Sequence, residues 1–162
     1  MTKKVRTFNM TGKMPNKGKS VVGTKRLHIG DMRAGKVYAV LDFRVYPTNT
    51  NVSTQLNGTL TMKENTVTDP TNPNFNDTGE IAWSSYNQHQ GIPPASGEAL
   101  VISETSHRDD ERYFAKDLHV YTTDEQGTQD INYYVKIGEF DTPEDISSIV
   151  QLIQFSELLG QV

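Results

Sequence analysis

The sequence predicts an all-β protein: an antiparallel β-sandwich carrying an extended basic N-terminal arm and a short C-terminal α-helix. Three observations predict it. Apolar residues alternate with polar ones at a period of two through much of residues 27–141. Stretches rich in Asn, Thr, Pro and Gly break that alternation at irregular intervals, which suits a sandwich with long loops better than a tight up-and-down barrel. Apolar residues make up only 35% of the 162, with Thr, Asn, Ser and Gln rather than charge in their place, as half-exposed strands joined by many turns require.

Taken in order, residues 1–26 read as an arm. Gly, Pro, Asn and Lys dominate Gly12-Lys-Met-Pro-Asn-Lys-Gly-Lys-Ser20, and no helical or strand period is evident. Such an arm is expected to gain order from a partner chain. Residues 27–141 form the sandwich domain. Val37, Ala39, Leu41, Phe43 and Val45 make one apolar strand face, with Asp42 and Arg44 on the other. After Pro47-Thr-Asn-Thr-Asn51, Val52, Leu56, Leu60 and Met62 alternate with Ser53, Gln55, Asn57, Thr59 and Thr61, and Gly58 marks a bulge or bend. Ile81–Tyr86 is a third strand between two wide loops, 64–79 and 91–97. Ala99–Ile102 reads as a short strand buried on both sides, followed by a charged loop, His107–Arg112. Lys116–Thr123 and Asp130–Ile137 read as a hairpin across the turn Asp124-Glu-Gln-Gly127. Six to eight strands result, with no internal repeat.

Residues 142–162 change period. Thr142 suits the N-cap, Pro143 the first helical position and Asp145 the capping box, and Gly160 the stop. The apolar band that follows is wider than one buried face needs. Ile149, Leu152, Ile153, Phe155, Leu158 and Leu159 are therefore candidates for a subunit interface, the alternative being a groove of the chain's own sandwich.

Charge is segregated. Residues 1–36 hold ten Lys and Arg against the single acid Asp31, a balance of +9; residues 37–162 hold six against nineteen acids, a balance of −13. Lys3, Lys4, Arg6, Lys13, Lys17, Lys19, Lys25 and Arg26 are the candidate contact residues of the arm. Cations in this density neutralise phosphates by counterion release, or drape over an acidic protein surface; the blander reading is a solvated tail. With Phe8 as its single aromatic residue, the arm is not built to stack on bases.

Catalytic chemistry finds little support. The chain has no cysteine, no nucleophile elbow of the Gly-x-Ser-x-Gly type and no phosphate loop. Ser84 and Ser85 beside Trp83 read as ordinary strand serines. The four histidines, His28, His89, His107 and His119, are scattered without metal-ligand spacing, and His119 is expected on an outer strand face. Asp69, Asn72, Asn74 and Asp77 gather hard oxygen donors in one loop but lack an EF-hand pattern. The seven tyrosines and Trp83 offer rings for a sugar-binding platform, yet rings are equally common as plain strand residues. The expectation is a protein that is not an enzyme, with no metal, cofactor, small-molecule substrate or membrane span. Behind the basic start Met1–Arg6 no apolar stretch of the signal-peptide kind follows.

Asp117-Leu-His-Val-Tyr-Thr-Thr-Asp124, Gln129-Asp-Ile-Asn-Tyr-Tyr-Val135, the acidic lead into the C-terminal helix, and Phe43-Arg-Val-Tyr-Pro-Thr-Asn-Thr-Asn51 resemble segments of small virion proteins of marine phages. A lysine-rich arm before a small sandwich also resembles the layout of small icosahedral coat proteins. The resemblance covers about a third of the body. It implies a jelly-roll-like sandwich in a virion, made in the host cytoplasm. There it would decorate or cement a capsid through the arm and the C-terminal helix, with other copies of itself and a shell protein as partners. Two alternatives follow the same residues: a jelly-roll coat protein whose arm faces nucleic acid, and a carbohydrate-binding sandwich module of a viral fibre.

Overall fold

The computed structural model describes residues 3–29, 35–50, 52–62, 70–71, 79–89, 101–109 and 112–141. They form eight strands and no helix: β1 (Lys3–Met14), β2 (Gly23–Leu27), β3 (Lys36–Pro47), β4 (Thr54–Thr61), β5 (Glu80–His89), β6 (Val101–Arg108), β7 (Leu118–Asp124) and β8 (Ile131–Asp141). All pair antiparallel in two sheets, one of order β1-β8-β3 and one of order β2-β7-β4-β5-β6. The expected sandwich is present. The C-terminal helix and its six interface candidates lie outside the described residues.

The core forms where the two sheets face each other. Phe43, Val45, Val135 and Ile137 from the first sheet meet Leu56, Leu60, Leu118 and Val120 from the second, all almost wholly buried. Gly58 is the point of closest approach. A Cβ there would stand 2.5 Å from Val45 Cγ1 and 3.1 Å from Phe43 Cζ, so the missing side chain lets β3 lie on β4. Of the bulge or bend expected at Gly58, the ladders show no register shift at that residue; the shift of β4 against β5 falls between Leu60 and Thr61.

The register bears on four expectations. Residues 3–14 and 23–26, which fall within the expected arm of 1–26, are in strands paired into the two sheets, 23–26 continuing into Leu27. β1 runs along β8 with Phe8 opposite Ile137, Met10 opposite Val135 and Met14 opposite Ile131. Its period of two is interrupted by Gly12, whose place is filled by the ring of Tyr133: a Cβ on Gly12 would lie 2.3 Å from the Tyr133 hydroxyl oxygen. In β3 the expected face is split by an extra residue between Val40 and Asp42. Tyr38 and Val40 therefore join Phe43 and Val45 in the core, while Val37 and Ala39 are buried outside that cluster.

β7 and β8 are not a hairpin. β7 pairs with β2 and β4, β8 with β1 and β3, so the connection arches from one sheet to the other. Asp124 organises that arch: its carboxylate accepts the backbone N–H groups of Gln126, Thr128 and Gln129 at 3.0, 2.8 and 3.1 Å. Last, the short strand expected at 99–102 lies further along as β6, which takes in His107 and Arg108 from the expected loop. Residues 102–108 are exposed on both faces of it, and a strand at a sheet edge with no core face carries no apolar alternation to read.

The open edge of β3 is covered by side chains of the second sheet. The Val45 N–H donates to Ser84 Oγ at 3.2 Å, and Arg108 Nη1 donates to the Val40 carbonyl at 3.2 Å. Between them in function stands a two-way bridge, Tyr38 N–H to the Phe114 carbonyl and Phe114 N–H to the Tyr38 carbonyl, each 2.8 Å. Replacing Gly58 by alanine is expected to lower the unfolding free energy by about 1–3 kcal/mol through overpacking. The change should read as a lower urea midpoint at unchanged slope; an unaltered midpoint would contradict the tight approach of β3 to β4.

Candidate functional site

The eight cations expected of the arm divide between ion pairs within the sandwich and exposed positions. Arg6 sits on β1 opposite Glu139 of β8 and donates to its Oε2 through Nε at 3.1 Å and Nη2 at 2.9 Å. The bond and the carboxylate's charge push the Arg6 pKa further up. The Glu139 side chain is only 8% exposed, and Lys36 on β3 approaches it at 3.9 Å while also pairing with Asp141. A buried carboxylate on the central strand is thus flanked by cations from both neighbouring strands, the arrangement that offsets its desolvation. Lys13 lies 3.9 Å from Asp130. Lys25 reaches over the ring of Tyr133 at 5.6 Å.

Arg26 holds the next acid. Its Nε and Nη2 lie 2.7 and 2.6 Å from Asp117 Oδ2, His28 Nδ1 lies 3.2 Å from the same oxygen, and the Ile29 N–H donates to Oδ1 at 3.1 Å. Burial alone would raise the Asp117 pKa; the Ile29 N–H, Arg26 and His28 outweigh it and hold the carboxyl below its ordinary value. Lys4, Lys17 and Lys19 are exposed and enter no ion pair among the described residues. Lys17 and Lys19 lie in the β1–β2 connection, which rests on the β7–β8 arch through Asn16: its N–H donates to Asp130 at 2.7 Å and its side-chain amide to the Gly127 carbonyl at 2.8 Å. Lys3 belongs to β1.

A cavity of about 190 Å³ opens between β3 and the β5–β6 ladder, lined by Arg44, Ser84, Ser85, Glu104, Thr105 and Ser106. Arg44 is held by Asp42, both of whose oxygens accept from its Nε at 3.2 Å, and that contact raises its pKa. Four hydroxyls, a guanidinium and a carboxylate offer donors and acceptors to a small polar molecule. Sequence reasoning treated Ser84 and Ser85 as ordinary and did not join them to Arg44 or Glu104, because the juxtaposition depends on β3 crossing β5.

The other candidates are dispersed. Tyr38, Tyr86, Tyr121 and Tyr133 are buried, Tyr46 and Tyr134 half-buried and Tyr113 exposed, so the described tyrosines form no single platform. His107 stacks on Trp83 at 5.7 Å and 18°. His119 points away from Leu118 and Val120, on the outer side as expected, but is buried. Asn57 and Thr59 on that side are buried too, and Asn57 Nδ2 and Thr59 Oγ1 have no hydrogen-bond partner among the described residues. No group of three or more His, Asp or Glu suited to a metal occurs among the described residues, and the Asp69–Asp77 loop cluster falls outside them except for Pro70 and Thr71. No helix among the described residues is long and apolar enough to cross a membrane. No protein-family model matches the chain, and no curated protein matches it.

Asp117 supplies a pH prediction. Its pKa is depressed in the folded state, so its contribution to stability is present above the ordinary carboxylate value, about 3.9, and is lost as pH falls through the folded value. Asp117→Asn is expected to lower stability by about 1–2 kcal/mol at neutral pH, with a gap in Tm to the parent that closes toward pH 3. A gap that persists undiminished in acid would refute the assignment.

Proposed function

We propose that the chain is a virion structural protein, a jelly-roll that decorates or cements a capsid. The observation that carries this reading is the strand order. A long hairpin whose outgoing strands 1–4 pair with returning strands 8–5 gives the nested pairs 1:8, 2:7, 3:6 and 4:5 when it wraps into a sandwich. Here β1 pairs with β8, β2 with β7 and β4 with β5. The 3:6 pair is reduced to the single bridge between Tyr38 and Phe114, just beyond β6. The nested pairs resemble the double Greek key of jelly rolls, an architecture recurrent in viral capsid domains, lectins and cupins, and the order departs from it at β6, which ladders on β5. The resemblance of the β7–β8 region to phage virion proteins supports the step from that fold to a virion.

In this reading the sandwich is the rigid body, Lys4, Lys17 and Lys19 are the cations left for an acidic shell, and the apolar residues of 142–162 make the second contact. A carbohydrate-binding module is the second reading, favoured by the hydroxyl-lined cavity around Arg44 and Glu104. An antibody raised against the purified chain separates them from other roles: it is expected to label the outside of intact virus particles from the producing culture in negative-stain micrographs. Label confined to free protein would contradict the virion reading, and specific hits on a glycan array without particle labelling would favour the second.

A further inference from the structure

We infer that β6 is a self-complementary edge on which a second copy of this chain docks, two-fold related, so that the five-stranded sheet continues across the pair. This does not rest on the virion reading, because such a pair would form in solution whatever particle the protein serves.

The four sheet edges differ in kind. β3 is covered by Ser84 and Arg108 and bridged to Phe114. β1 carries Lys3, Lys4, Arg6 and Lys13 and no acid; β2 carries Lys25 and Arg26 and no acid. A second copy aligned antiparallel on either would set like charges side by side, the usual protection of an edge. β3 mixes signs too, in Lys36, Asp42 and Arg44, but it is the covered edge; of the other three edges formed by the described residues, β6 alone combines both signs, in Val101-Ile-Ser-Glu-Thr-Ser-His-Arg108. It is laddered to β5 on one side, and residues 102–108 are exposed on both faces, Ile102 to 50%.

Spacing turns that mixture into a code. Glu104 and Arg108 are four apart, so both point to the same face of the strand as Tyr86 and Ala82 opposite them on β5. A two-fold axis perpendicular to the sheet pairs residues whose positions share parity. With the axis at Ser106, Glu104 of each copy stands directly opposite Arg108 of the other, Thr105 opposite His107, and the small Ser106 opposite itself. Cross-strand neighbours this close attract when opposite in charge and repel when alike. Moving the axis to Thr105 sets Glu104 against Ser106 and Arg108 against Ile102, and loses both ion pairs. The charges thus select one register, where a polar strand would otherwise slip. Arg108 is already oriented, with Nη1 on the Val40 carbonyl. Main-chain hydrogen bonds along the new ladder would supply the affinity, as in strand addition generally.

Sedimentation equilibrium of the full chain tests this. The parent is expected to show a monomer–dimer equilibrium that weakens with added salt. Glu104→Arg and Arg108→Glu are each expected to weaken it about tenfold or more by setting like charges opposite twice. The double variant E104R/R108E, with both pairs reversed, is expected to restore the dimer. Ser106→Lys, which leaves the contact of Arg108 with Val40 intact and places two lysines across the axis, is expected to be monomeric while retaining the parent circular dichroism spectrum. A parent that stays monomeric to about 1 mM, a dimer indifferent to E104R and S106K, or a folded double variant that remains monomeric would each overturn the inference.

Discussion

The last described strand lies between the first and the third, and the rest of the sandwich depends on that closure. β8 follows the other seven strands in the sequence, and its two partners supply complementary surfaces. Apolar side chains of β1 and β3 meet its inward face, and Arg6 and Lys36 meet its buried Glu139. The Arg6–Glu139 bond joins residues 133 apart in sequence. Topologies dominated by such distant pairings fold slowly, because loop-closure entropy is lost before the contacts that reward it are made. Strong, specific pairing at the end of the process is therefore a requirement of this fold.

The segregation of charge along the chain has its physical explanation in the same closure. Cationic strands β1 and β2 come from the first 27 residues, and their neighbours β8 and β7 come from the acidic half. Arg6 with Glu139, Lys13 with Asp130 and Arg26 with Asp117 are all pairs between the two halves. A +9 segment beside a −13 segment looks like a tether when read linearly, and folds into internal complementarity. Of the arm's cations, Lys4 near the start of β1 and Lys17 and Lys19 beyond its end stay exposed without an ion pair among the described residues.

Much of the fold was legible. Alternation gave β4, β5, β7 and β8 closely and named Phe43, Val45, Leu56 and Leu60 as core. β1 escaped because Gly12 sits at one of its inward positions, filled from outside by Tyr133, and because lysines crowd its ends. The phase of β3 was half right, since a one-residue bulge near Leu41 cannot be seen in an alternation that is apolar on both faces. Two amphipathic strands joined by a short polar turn read the same whether they lie side by side or face to face, so the sequence does not distinguish the β7–β8 arch from a hairpin. β6 was mislaid because an edge strand exposed on both faces has no hydrophobic period. The cavity at Arg44 was illegible for a different reason: its residues come from three strands whose meeting is a property of the sheet crossing, not of any segment.

Amide hydrogen exchange along β1 tests the central claim most directly, because protection there reports the ladder with β8 without altering the chain. The account predicts that the amides of residues 6–14 facing β8 exchange as slowly as those of residues 131–139, in one cooperative unit. Exchange across 6–14 at the rate of an unstructured peptide, with β8 still protected, would show that the first strand is not part of the fold.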